Sequence, residues 1–167
     1  MEKRRFTEFY RKYLKRVYKF VLFRVGNDRR LAEDLTQDIF IKAFEAFDRY
    51  DPTVSEASWI YTIARNHIIN DHAKTRPGVS LEEIEGMKIV SHDGRETFAK
   101  HHMEIRILEV VDAMPLADAQ LVRMKYLEGW EFDDLAEILG KKSGALRVQA
   151  MRALKKIREH VEQKHIL

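Results

Sequence analysis

The chain has 167 residues, 34% of them charged and 45% hydrophobic, with a net charge of +3. That length fits one larger domain or two small ones, and that balance fits a soluble protein with a charged surface. The absence of cysteine excludes disulfides and thiol catalysis, and no apolar run is long enough to cross a membrane.

The N-terminus, MEKRRFTEFYRKYLKRVYKF, is basic and lacks an apolar signal core. This predicts a cytoplasmic protein with no membrane insertion. The small net charge hides strong segregation. Residues 1–30 carry +8, 31–58 carry −5, 59–77 carry +2, 78–140 carry −8 and 141–167 carry +6. Two separated basic blocks predict two contacts with something polyanionic.

Helical periodicity dominates the chain. From Phe6 to Val25, apolar residues recur at spacings of three and four, and Gly26-Asn27 ends that helix. Asp28 is the expected N-cap of a second helix, whose stripe is Leu31, Leu35, Ile39, Ala43 and Phe47, with Phe40 and Phe44 alongside. After the turn at Asp51-Pro52, a third helix from about Ser55 carries SWIYTIARNHIINDHAK, and Pro77-Gly78 stops it. Residues 78–100 are acidic, broken by three glycines and weakly periodic. They predict a flexible linker with at most a helical turn near SLEEIE. Helices resume with MEIRILEVVDAM before Pro115, ADAQLVRMKYLE before Gly129, FDDLAEIL before Gly140, and GALRVQAMRALKKIREHVEQ. The expected fold is all-α: two small helical domains, 1–77 and 101–167, joined by the 78–100 linker.

Residues 130–157, WEFDDLAEILGKKSGALRVQAMRALKKI, have a helix–turn–helix layout. Leu135, Ala136 and Leu139 point inward from the first helix, Gly140 forms the turn, and Ser143 is placed to cap the second helix by accepting a backbone N–H. Leu146, Ala150, Ala153/Leu154 and Ile157 form the inner stripe of that second helix. Arg147, Gln149, Met151, Arg152, Lys155 and Lys156 are left mainly outside. A basic outer face on a second helix suits the DNA major groove, where Arg and Gln read base edges and Lys and Arg bind phosphate. An ordinary amphipathic helix pair with a solvated basic face is the alternative.

On the third helix, Thr62, Asn66, Asn70 and Lys74 are spaced by four and form one polar row. Trp59 and Tyr61 lie near its start. Amides beside aromatics suit unstacked, single-stranded bases. Taken alone, Trp59 fits a core tryptophan better than a stacking platform.

Taken together, AEDLTQDIFIKAF (32–44), SWIYTIARNHIIND (58–71), a broken linker, and residues 114–157 resemble a bacterial sigma factor. The type is the small two-domain extracytoplasmic-function (ECF) branch of the sigma-70 family, and the match covers nearly the whole chain. The resemblance implies a region 2-like helical bundle and a region 4-like helix–turn–helix, with core RNA polymerase and promoter DNA as partners. Asp34, Gln37, Asp38 and Phe40 then fall on the helix that docks on the polymerase clamp helices. The loop 48–58 matches one that captures a flipped base. Trp59, Tyr61, Thr62, Asn66, Asn70, Asp71, Lys74 and Arg76 fall in the segment that opens and reads the −10 strand. Arg65 is either a DNA ligand or a buried ion-pair partner. Ser143, Arg147, Gln149, Met151, Arg152, Lys155 and Lys156 fall in the module that reads −35 duplex. The acidic linker is similar to one that threads the polymerase near the RNA exit path. An anti-sigma factor commonly holds such proteins inactive. Val148, Gln149 and Met151 depart from the residues usual at those positions, which puts the −35 preference in doubt.

No other chemistry emerges. His101 and His102 point about 100° apart on a helix, so with His92 they serve one metal ion poorly. No phosphate loop, Ser–His–Asp arrangement or HExxH motif is present, so no metal, cofactor or enzymatic activity is expected. Two rival readings are a helix–turn–helix regulator that acts without polymerase, and a polymerase-binding protein that sequesters without initiating.

Overall fold

The computed structural model describes residues 2–75, 77–78, 80, 83–84 and 99–163. All regular structure among them is helical. Helix α1 (Glu2–Arg24), α2 (Arg29–Ala46) and α3 (Glu56–Thr75) form the first bundle. Phe9, Tyr13, Val17, Phe20 and Val21 turn from α1 onto Leu35, Ile39 and Ala43 of α2 and Ile60, Ala64 and Ile68 of α3. The i, i+3, i+4 spacing of these residues is why one stripe of each helix is buried.

Local signals set the boundaries. Gly26 and Asn27 both lie at positive φ, 67° and 64°, a region that favours glycine and tolerates asparagine. That pair reverses the chain after α1. The Leu31 N–H donates to Asp28 Oδ1 at 3.0 Å, so Asp28 caps α2 as expected. The Ser58 N–H donates to Ser55 Oγ at 3.1 Å and starts α3. Phe47–Arg49 forms a 3-10 turn, and the following loop is ordered by Thr53 N–H donating to Asp51 and by Tyr50 O–H donating to the Val54 carbonyl.

Most of the expected linker lies outside the described residues, as do Arg76 and His92. Residues 83 and 84 are helical, and the Ile84 N–H donates to the Ser80 carbonyl at 3.2 Å. Ser80 and Glu83 donate their backbone N–H groups to each other's side chains, a reciprocal cap. Ile84 is buried in the main core, so this part of the connection is anchored by packing.

Helix α4 (Ala99–Asp112) and α5 (Leu116–Val122) follow. Residues Arg123–Glu128 widen into a π-type turn, with Gly129 N–H reaching the Met124 carbonyl five residues back. Helix α6 (Phe132–Leu139) is capped by Glu131 and Asp134 in a reciprocal box. Gly140 ends it at φ 63°, and α7 (Ser143–Gln163) crosses behind. Leu146, Ala150 and Ala153 are its buried stripe. Leu154, expected inward, is partly exposed instead.

The two halves share one continuous apolar core. Leu121, Met124, Trp130, Leu135, Leu146 and Ala150 join the same cluster as Tyr13, Phe20 and Tyr61. Trp130 is fully buried, with its ring 6.2 Å from Tyr13 and 6.1 Å from Tyr61. Charges close the joint. Arg24 Nη1 donates to Glu128 Oε1 at 2.8 Å, and Trp130 Nε1 donates to Glu128 Oε2 at 2.8 Å. Arg16 Nη1 donates at 3.0 Å to Asp134, the same carboxylate that caps α6.

Candidate nucleic-acid and polymerase interface

Three surfaces carry the candidate residues. The first lies on α3. Thr62, Asn66, Asn70 and Lys74 are all exposed, so the i, i+4 row is a real solvent-facing strip. Thr62 Oγ1 donates back to the Ser58 carbonyl, which fixes the start of the row. Trp59 is half-buried, its ring 5.6 Å from Phe9, 6.0 Å from Phe47 and 4.9 Å from Tyr50. It both fills the bundle core and supports the loop. Tyr50 lies stacked on Phe47, and burial pushes its phenol pKa up. Asp51 titrates below the usual carboxylate range because its carboxylate accepts the Thr53 N–H. Tyr61 is 7% exposed and sits between Phe20 and Trp130, on the other side of α3 from the row. Arg65 and Asp71 are half-buried at the row's edges, and half-buried His72 lies on the far side of the helix with its Nε2 3.2 Å from the Arg24 carbonyl.

The second surface is a groove between α1 and α2 of about 550 Å³. Phe6, Tyr10, Leu14, Phe40, Ile41 and Phe44 line it. Asp34, Gln37 and Asp38 are exposed on α2, whereas Phe40 is 5% exposed at the groove floor, edge-on to Tyr10 at 4.8 Å. Ile41 and Phe44 are 55% and 51% exposed. The sequence pattern sets Phe44 alongside the inner stripe of α2 and passes over Ile41. Stepping 100° per residue from Ile39 and Ala43 would have placed both toward solvent. Behind this surface, Lys42 Nζ is 2.7 Å from His67 Nδ1, and His67 Nε2 is 3.6 Å from Asp38 Oδ2. Burial, followed by the Lys42 charge, holds the His67 imidazole below its ordinary pKa.

The third surface is the outer face of α7. Arg147, Met151, Arg152, Lys155 and Lys156 are exposed, and Gln149 is half-buried. Several of them are engaged within the protein. Arg147 lies over the Phe132 ring at 4.7 Å, Gln149 Nε2 donates to Asp118 Oδ1 at 2.9 Å, and Lys156 Nζ is 3.5 Å from Asp118. Ser143 does not cap α7 as expected. It is the helix's first residue, and its Oγ donates to Asp133 at 2.9 Å, tying the two helices of the motif together. Among the described residues no group of His, Asp or Glu could hold a metal ion, and no helix is long and apolar enough to cross a membrane. The side chains of His101 and His102 lie outside the described residues.

Residues 9–77 match the family model for sigma-70 region 2, and residues 104–157 match that for sigma-70 region 4. The chain belongs to the sigma-70 family. Its relatives place it in the ECF branch. It is 26% identical to the RNA polymerase sigma factor CarQ of Myxococcus xanthus, over 92% of this chain and 87% of that protein. It is 22% identical to the ECF RNA polymerase sigma factor SigX of Bacillus subtilis, over 94% and 84%. It is 26% identical to the ECF RNA polymerase sigma factor BldN of Streptomyces coelicolor, over 90% of this chain but 58% of that one. The fold is similar to that of CnrH in complex with the cytosolic domain of CnrY, with a TM-score of 0.58 and 16% identity over 96% of this chain and 90% of that chain. It is also similar to sigma factor RpoE in complex with the anti-sigma factor NepR from Bartonella quintana, with a TM-score of 0.54 and 17% identity over 93% and 97%. In this sigma factor, α1–α3 are therefore region 2, and α4–α7 carry region 4. A helix–turn–helix regulator acting without polymerase is not favoured, because it would leave the region 2 match unexplained.

Proposed function

We propose that this sigma factor docks on core RNA polymerase through region 2, reads −35 duplex with α7 and holds unpaired −10 bases on the α3 row. The exposed amide row of α3, set beside half-buried Trp59, is the observation that carries the reading. Amides and aromatic faces together suit unpaired bases, whose binding energy offsets the cost of melting. The basic face of α7 suits duplex. The groove between α1 and α2, flanked by Asp34, Gln37 and Asp38, is the polymerase-docking surface. The polymerase supplies the chemistry, so the chain itself is not an enzyme and works in the cytoplasm. The proposed domains are 1–77 and 101–167.

The arrangement with a shared core is a resting form in this scheme. The −10 and −35 elements are separated by roughly 25 base pairs, about 85 Å at ~3.4 Å per pair. A compact chain of this length has a radius of gyration of about 15 Å and measures roughly 40 Å across. It cannot touch both elements until regions 2 and 4 part at the Trp130 joint. An anti-sigma factor that clamps both regions would favour this closed form. The relatives solved with CnrY and with the anti-sigma factor NepR support that partner class.

Run-off transcription with purified chain, core polymerase and fragmented host DNA tests the proposal. Discrete 5′ ends sharing elements near −35 and −10 are expected. Co-elution with core without any start sites would instead mark a sequestering factor.

A further inference from the structure

The centre of the α7 outer face is apolar. Leu146, Ala150 and Ala153 define the buried side of the helix. At 100° per residue, Val148 lies almost diametrically opposite, with Met151 beside it one turn on. Val148 is 44% exposed and Met151 64% exposed. Gly144 and Ala145 precede them on the same side, leaving no bulk between the helix and whatever it meets. Exposed Arg152 and Lys155 flank the pair. Three polar groups of the motif are engaged within the protein. Gln149 is tied to Asp118, Ser143 to Asp133, and Arg147 is stacked on Phe132.

A cationic frame around an apolar centre fits a phosphate-lined groove better than an apolar protein face, which the flanking charges would have to desolvate. In the major groove most base-edge atoms are polar, and covering them with apolar side chains leaves them unsatisfied. The thymine C5-methyl is the apolar group exposed there. Branched Val148 offers a rigid contact and Met151 an adaptable one. We propose that Val148 and Met151 are specificity residues that select thymine-bearing pairs in the duplex element through the thymine methyl. The inference rests on the reading of α7 as the duplex-binding helix and names what that helix prefers.

The test uses holoenzyme assembled from core polymerase and the full chain. A randomised duplex library is prepared twice, once with thymine and once with uracil, which lacks only the methyl. Bound duplexes are sequenced. Enrichment of thymine at defined upstream positions is expected, falling about four-fold per position in the uracil library, the factor for burying one methyl-sized group. Val148→Ser and Met151→Ser, both at exposed positions, should erase the difference between libraries while the salt dependence persists. Equal enrichment of thymine and uracil would overturn the inference, assigning the patch to a protein partner and leaving duplex reading intact. No upstream enrichment in either library would overturn both the inference and the duplex-reading role.

Discussion

Arg24 and Glu128 meet at 2.8 Å across the joint between regions 2 and 4, with their side chains 5% and 0% exposed. The Arg24 guanidinium also lies 3.7 Å over the Phe20 ring and donates to the Phe20 carbonyl, while Glu128 takes the Trp130 N–H on its other oxygen. A buried ion pair of this kind is a poor source of net stability, because both ions lose their hydration. It is a strong source of specificity, since removing one partner leaves a buried charge. Glu128→Gln should keep much of the hydrogen-bond geometry and still destabilise the closed form by about 3–5 kcal/mol, whereas Arg24→Met with Glu128→Met should recover most of that. The expected result for Glu128→Gln is an opened chain. Its radius of gyration rises in small-angle scattering, and Trp130 emission shifts to the red in a Trp59→Phe background. A Glu128→Gln protein as compact as the parent would show that the pair does not govern the joint.

Separation of the two regions carries a functional consequence. If the closed form cannot span the promoter, an opened variant should bind promoter duplex more tightly than the parent in the absence of polymerase. Titration of a duplex carrying both the −35 and −10 elements against parent and Glu128→Gln chains checks this, with a −35-only duplex as the control on which the two should bind alike. Equal affinities on the two-element duplex would mean that opening the joint does not limit promoter contact.

The groove between α1 and α2 predicts where polymerase affinity resides. Ile41 and Phe44 are more than half exposed, so their replacement should leave the bundle intact. Large apolar side chains at the centre of an interface are typical anchors, and truncating one costs more than 1 kcal/mol, or roughly five-fold or more in affinity. Phe44→Ser and Ile41→Ser should each weaken binding to core polymerase by at least that factor without lowering the melting temperature. Unchanged affinity in both would move the docking surface elsewhere on region 2.

Local signals in the sequence sufficed for the element boundaries. The Asp28 cap, the Gly26-Asn27 reversal and the Gly129 and Gly140 stops all act within a few residues, so their chemistry is visible in a short window. The α3 row was legible for the same reason, since i, i+4 geometry alone puts Thr62, Asn66 and Asn70 on one side. The joint was not legible. Arg24 and Glu128 are 104 positions apart, and a count of basic and acidic blocks cannot say which member of one meets which member of the other. Tyr61 shows the cost. Its neighbours on α3 suited a base-stacking role, but Trp130, far along the chain, covers it in the closed form. Ser143 missed the cap by one residue, since the Leu146 N–H bonds to the Lys142 carbonyl and leaves Ser143 inside the first turn, where its hydroxyl donates to Asp133.

His67 predicts a pH dependence. The Lys42 contact at Nδ1 requires a neutral imidazole with its proton on Nε2, toward Asp38. Burial and then Lys42 lower its pKa in the folded chain, against weaker upward pulls from Asp38 and Asp71 and a further downward one from Lys74. The unfolded chain therefore takes up a proton first as pH falls below about 6.5, the ordinary histidine value. Stability present above that pH is lost on acidification until the folded-state pKa is passed. Urea unfolding at pH 7.5 and pH 5 should show a larger loss for the parent than for His67→Gln. An identical loss in both would assign the acid sensitivity to other groups.

Asn66 separates the two jobs of region 2. It is exposed in the middle of the α3 row, while the groove proposed for docking lies between α1 and α2. Its amide can pair with a Watson–Crick edge only after the strand opens, because duplex pairing occupies that edge. Asn66→Ala should therefore leave core polymerase affinity within about two-fold and cut open-complex formation by roughly ten-fold, the worth of one good bidentate amide–base contact. Permanganate reactivity of unpaired thymines near −10 reports opening, and co-elution with core reports docking. A variant losing both equally would place Asn66 in the structure of region 2. A variant losing neither would take the amide row out of the melting step.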